Sequence, residues 1–223
     1  MAVVETRLTH EVHRVATALL AEAALRPSVP FEELAQLRDF LVANLRHHHE
    51  AEDNDLWPRI VAAAPATAHT LDALSEEHER LDTALDRLAC VLISSGETGR
   101  EGAGPAAGRE GAGTASAVRA ALHAAAVDVR DTVHDHLVHE ETILFPALRD
   151  HVSPADWEDF SRQVIASTPP IAGHLMIGFL DEIGTADEVE LVLAGLPEPL
   201  LSLLPEMRRQ AVDDLRSLRG DGS

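Results

Sequence analysis

Two stretches of the chain, 88 residues apart, carry the same arrangement of groups able to bind a metal ion. His48, Glu52, Leu56, Trp57 and Pro58 in the first correspond to His136, Glu140, Leu144, Phe145 and Pro146 in the second, with Asp53 and Glu141 in matching places. Each copy reads His-x-x-x-Glu and then an aromatic-proline stop. Residues four apart share one face of a helix, so each copy aims one imidazole and one carboxylate in the same direction. That is half a metal site, presented twice.

The apolar pattern places these groups inside. Leu34, Leu37, Leu41, Leu45, His48 and Glu52 form one helical stripe, and Leu122, Ala125, Val129, Val133, His136, Glu140 and Ile143 form another. A third segment repeats leucine around a single histidine: Leu71, Leu74, His78, Leu81, Leu85, Leu88 and Leu92. Near the N-terminus His13, Ala16 and Leu20 trace a shorter stripe, with His10 as the competitor; Val12, Leu19 and Leu20 favour His13. If the four helices alternate up and down, early positions of the first and third meet late positions of the second and fourth. His13, His48, Glu52, His78, His136 and Glu140 then converge on one level of the bundle.

Two carboxylates and four imidazoles among leucines would each cost several kcal/mol if ionised and uncompensated. A pair of divalent cations is the simplest compensation. Mixed imidazole and carboxylate donors without thiolate suit iron, less so manganese, and disfavour a structural zinc site. The sole cysteine, Cys90, reads as a small buried apolar residue.

In this order and spacing the chain resembles the hemerythrin-like family with the HHE cation-binding domain, and its phrases around 47–53, 56–58 and 77–81 look like the bacterial members. The resemblance covers roughly residues 6–150. It implies a non-haem di-iron centre with the two glutamates bridging and the histidines as terminal ligands, reacting with dioxygen, peroxide or nitric oxide, or sensing iron and oxygen. The oxygen carriers of the family have a second histidine where this chain has Asp82, and His-x-x-x-x-Asp where it has His136 and Glu140. These departures leave fewer imidazoles and favour exogenous ligands and redox turnover over reversible carriage. His49 is a further donor only if it overcomes the 100° that separates neighbours on a helix.

Composition narrows the classes. A net charge of −20 argues against nucleic acid or an anionic membrane as partner. One cysteine excludes an internal disulfide, and the longest apolar run, 171–180, is too short to span a bilayer, so the cytoplasm is the expected location. The absence of tyrosine excludes a tyrosyl-radical oxidase, and a ferritin-like oxidase would show Glu-x-x-His pairs. All 18 basic residues are arginine, which with abundant alanine points to a GC-rich bacterial genome.

The spacing predicts an all-α, up-down four-helix bundle over 1–152 with a helical extension over 153–223. Helices are expected near 6–26, 31–63 with a kink or end at Pro58, 67–94 and 116–150. A flexible Gly-rich loop, 94–116, holds GREGAG twice. Ser153-Pro154 and Thr185 with Glu188 start helices in the extension, near 154–167, 171–183, 185–195 and 197–219, the last interrupted at Pro205. The extension is expected to cover the bundle, or else to bind a protein partner or gate the site. The function expected is binding and redox processing of a small diatomic or peroxide at an open iron position. The alternative is a sensor whose fold and partner binding depend on metal occupancy.

Overall fold

Runs of alanine, leucine, arginine and glutamate favour helix at nearly every interior position, and proline or glycine punctuates their ends. The computed structural model describes residues 1–93 and 105–220, with the side chains of all these except 105–112, and no strand occurs among them. Four long helices form the bundle: α1 (Ala2–Ala24), α2 (Phe31–Ala51), α4 (Ala68–Ala89) and α5 (Pro105–His151). Helix α1 packs on α2 and α5, and α4 packs on the same two, so each helix has two neighbours in a closed ring. Between α2 and α4 the chain makes a π-helical turn, Glu52–Leu56, then α3 (Trp57–Ala63) and a 3-10 turn, Pro65–Thr67.

The kink expected at Pro58 is this π turn. Pro58 sits in the first turn of α3, where its missing N–H costs least. Helix α5 continues past Pro146 to His151, close to the expected end at 150, whereas α9 (Glu198–Leu218) runs through Pro205, where an interruption is expected. In α5 the buried Leu144, Ala147 and Leu148 hold both sides of the proline against the same cluster, and packing outweighs one lost backbone bond. Helix α5 also begins at Pro105, earlier than the expected 116. Proline opens it at a position suited to the first turn, and Ala, Arg and Glu offset the glycines of the second GREGAG. The first GREGAG, 99–104, and the rest of the expected loop up to 104 lie outside the described residues.

Two readings of the third segment are corrected. Helix α4 ends at Ala89, so Leu92 leaves the leucine seam and is 82 % exposed. Cys90 is exposed as well, two residues past the buried Leu88 and off its face.

The extension forms α6 (Pro154–Ser167), α7 (Gly173–Ile183), α8 (Ala186–Leu193) and α9. The starts of α6 and α8 are capped as their sequences predict. Ser153 accepts a hydrogen bond from the Asp156 N–H, and Thr185 with Glu188 makes a complete capping box. Leu175, Phe179, Leu180, Leu215 and Leu218 join the bundle's own core, and the Phe179 ring lies 6.2 Å from that of Phe40. Helix α6 instead closes one end of the bundle. Trp157 and Phe160 pack with Leu56, Trp57, Ile60, Leu71, Leu74 and Leu144, and the Trp157 indole N–H donates to Glu5 at 2.8 Å.

Gly178 lets α7 and α9 meet closely: a Cβ there would lie 2.6 Å from that of Ala211 and 3.0 Å from Leu215. Helix propensity alone would favour a larger residue by up to about 1 kcal/mol. The clash wins for a branched side chain, so Gly178→Val should cost about 2 kcal/mol in chemical denaturation; an unchanged midpoint would mean that α9 yields freely.

Candidate metal centre

Every residue of the predicted set is drawn to one level of the bundle. His13, Glu52, His78, His136 and Glu140 are all 3 % exposed or less, and the His48 side chain is 15 % exposed. Two histidines join them: His10, 0 % exposed, and His49, 2 % exposed. Donor atoms fall into two groups, His10, His48, Glu52 and Glu140 in one and His49, His78 and His136 in the other, each group mutually within 4.8 Å.

The preference for His13 over His10 is not what the geometry gives. His10 lies in the four-donor group, while His13 stands beside it with its ring 5.0 Å from that of His48. The two are three residues apart and share a face, so α1 buries both. His49, open as a further donor in the sequence, also faces inward. The inward face of α2 is wide enough to take neighbours 100° apart, because α1 lies on one side and α4 with α5 on the other. His48 turns toward His10 and His13, whereas His49 stacks on His78 at 4.3 Å and meets His136 edge-on at 5.7 Å. His47 stays half-buried outside the centre, 2.9 Å from the Ser167 hydroxyl, and Asp82 is exposed.

The glutamates stand between the groups. Glu52 places Oε1 3.4 Å from His48 Nε2 and Oε2 3.7 Å from His78 Nε2. Glu140 Oε2 lies 3.6 Å from His10 Nε2 and 3.4 Å from His136 Nε2. Each carboxylate thus touches one imidazole of each group.

Three of the histidines are oriented from behind by carboxylates. Nδ1–H of His10 donates to Glu141 at 3.1 Å, that of His78 to Asp53 at 3.0 Å, and that of His136 to Glu77 at 3.0 Å. Each carboxylate is itself held, Glu141 by Arg14 at 2.8 Å, Asp53 by the Ser75 hydroxyl at 2.6 Å and Glu77 by His139 at 2.9 Å. A proton fixed on Nδ1 leaves the Nε2 lone pair free and directed into the centre. These acids adjoin donors in sequence, Glu52-Asp53, Glu77-His78 and Glu140-Glu141, and that adjacency is the signal by which they could have been found. Asp53→Ala, Glu77→Ala and Glu141→Ala should each weaken metal binding about 10- to 100-fold, measured by competition with a chelator of known affinity; wild-type affinity would make these contacts incidental.

The donors fit a cation. Nε2 of His10, His48, His78 and His136, both ring nitrogens of His13 and His49, Oε2 of Glu52 and both Glu140 oxygens are buried without a hydrogen-bond partner. So many orphaned groups in one compartment would be prohibitive in an apolar core, and each of these side chains can offer a metal a lone pair. The protonation pattern agrees. Burial and the neighbouring imidazoles hold His48 and His49 well below the usual histidine range and His13 at about 3. Burial and the Glu140 charge push Glu52 well above the carboxylate range. Burial acts upward on Glu140 too, but His10 and His136 hold it down at about 2.

Residues 5–113 match the hemerythrin HHE cation-binding domain. The span holds His10, His13, His48, His49, Glu52 and His78, and the fold brings His136 and Glu140 to them from beyond it. Searches of curated proteins and of solved structures returned no match. With the domain match over 5–113 and a buried set of histidine and glutamate donors completed from α5, this part of the chain is identified as a hemerythrin HHE cation-binding domain.

Proposed function

We propose that the protein is a non-haem di-iron protein that binds and redox-processes a small ligand: dioxygen, peroxide or nitric oxide. The observation that carries this reading is the position of Glu52 and Glu140, each within 3.7 Å of an imidazole from both donor groups, as bridging carboxylates would be. His49, His78 and His136 would hold one ion, and His10 and His48, with His13 adjacent, the other. Nitrogen and oxygen donors without thiolate suit iron, and manganese less well. Iron bound there supplies one-electron chemistry and coordination positions for an exogenous ligand.

The chain's own residues orient and seal the centre. Asp53, Glu77 and Glu141 fix the imidazoles, which limits rearrangement when a ligand arrives. Trp57 stacks over His78 and Phe145 over His10, with ring centres 6.3 and 6.1 Å apart, and these apolar faces exclude water. No described helix is long and apolar enough to cross a membrane.

A second reading, an iron- or oxygen-responsive sensor, is favoured by the attachment of α6. Arg59 in α3 binds Asp159 at 3.0 Å, and Glu5 in α1 accepts from Trp157, so a shift of the donor helices would reach the extension and any partner bound there. Iron content and the visible spectrum of protein from iron-supplemented cells test both. About two irons per chain with a visible band, lost in a Glu52→Ala, Glu140→Ala variant, is the expected result. A stably folded chain without iron would sink both readings. Turnover of hydrogen peroxide then favours the redox reading, and metal-dependent partner binding without turnover the sensor.

A further inference from the structure

A groove of about 500 Å³ runs between α4 and α5 on the outside of the bundle. Its walls carry four carboxylates, Glu77, Asp128, Asp131 and Asp135, against two guanidiniums, Arg80 and Arg87. Arg87 is committed to Asp128 at 3.0 Å, and Asp131 faces its neighbour Arg130 at 2.7 Å. Asp135 has no ion pair or hydrogen bond among the described residues. A formally negative groove is common on so acidic a chain. What sets this one apart is its inner end.

His136 lines the groove, is 3 % exposed, and has its Nε2 buried with no hydrogen-bond partner among the donors of the centre. Glu77 joins the two environments, because it lines the groove and grips His136 Nδ1 at 3.0 Å. The other groove, of about 460 Å³ between α1 and α5, shares Asp131 and Asp135 with the first but sets Arg14 and Arg130 against them, and is lined by none of the grouped donors. Charge discriminates between cargoes. Dioxygen, nitric oxide and hydrogen peroxide are neutral and gain nothing from a carboxylate wall, whereas a divalent cation is concentrated by it.

We infer that the α4/α5 groove is the loading route by which a divalent cation reaches the centre, with Asp128, Asp131 and Asp135 as its collecting residues. This rests on the reading of the buried donors as a metal centre. The ion is drawn in by the three aspartates of α5 and passes Glu77. It is then taken by His136 with His78 and His49, so this group fills first. The aspartates act on the rate of capture and leave the affinity of the filled centre unchanged.

The test is stopped-flow absorption after mixing metal-depleted full-length protein with cobalt(II), beside equilibrium titration with the same ion. An Asp128→Asn, Asp131→Asn, Asp135→Asn variant should load on the order of tenfold more slowly at low salt while reaching the wild-type stoichiometry, and lose most of the wild type's salt dependence. Arg80→Gln with Arg87→Gln should load faster. A control with the same change in net charge outside the groove, Glu190→Gln, Glu198→Gln and Glu206→Gln, should load like the wild type. Wild-type rates in the aspartate variant would overturn the inference and move loading to the exposed edge of His48. A slowdown equal to the control's would reduce the effect to net charge and overturn it too. If the wild-type chain takes up no cobalt at equilibrium, the metal-centre reading itself fails, an outcome distinct from either.

Discussion

Stripped of metal, the protein should melt at least ~8 °C below its loaded form. The apo chain must keep six imidazoles and two carboxylates in one largely buried compartment, most of their donor atoms without a hydrogen-bond partner. A cation bound only by the folded state stabilises it by about 4 kcal/mol at a thousand times its dissociation constant. A domain of this size shifts its midpoint by about 2–4 °C for each kcal/mol, which sets the bound for a single ion. Calorimetry of chelated and reconstituted protein reads the difference, and equal midpoints would show that the donors do not need an ion. Glu52→Gln separates the cause further. In the apo protein Glu52 is held neutral by burial and the Glu140 charge, so an isosteric amide should leave apo stability unchanged to within about 1 kcal/mol. In the loaded protein the same substitution removes a ligand and should lower the midpoint steeply. One variant that is silent in the apo state and costly in the loaded state is hard to explain by packing.

Much of this centre could be read from spacing alone, because a bundle turns helical phase into position. Leucine stripes identified the inward faces of α2, α4 and α5, and the alternation of the helices brought His48, His78 and His136 to one level. The α1 donor was harder. His10 and His13 share a face, and only the depth of α1 against α5 decides which imidazole reaches the glutamates. His49 stays undecided in sequence for a geometric reason: a single-phase stripe treats the interior as a line, whereas α2 faces two neighbours and buries an arc. The supporting acids Asp53, Glu77 and Glu141 look like ordinary solvated charges in sequence. They become part of the site only because each lies one residue from a donor and its helix turns it onto a ring of the next helix. The continuation of α9 through Pro205 could not be read locally, since it depends on apolar partners supplied by other helices.

Acid should unfold the metal-free protein well before it unfolds the loaded one, and the steepness identifies the responsible groups. His13 titrates at about 3 in the fold, and His48 and His49 lie well below 6.5, all chiefly through burial. The unfolded chain therefore takes up these three protons first, and stability falls as pH drops below about 6.5. Glu52 works the other way. Its folded pKa is raised, so the native state already holds that proton, and above about 4.5 it offsets one of the three. Two protons remain, which is about 3 kcal/mol for each pH unit between roughly 6.5 and 4.5. Below that the Glu52 offset ends, and Glu140, held at about 2, adds its own loss, so the decline steepens. His136, raised by Glu140 and Glu77 against the effect of burial, favours the fold below about 6.5 and loses that contribution only as pH rises through its folded pKa. A domain with about 10 kcal/mol in hand at neutral pH would exhaust most of it by about pH 4. Urea midpoints of the apo protein at intervals from pH 7.5 to 4.5 measure the slope directly. In the loaded protein the same nitrogens are blocked by the ion, and the decline should begin only where protons displace metal, with release and unfolding coinciding. An apo stability flat across this window would mean that the imidazoles already share protons or water within the compartment, and that its dryness, on which the metal reading leans, does not hold.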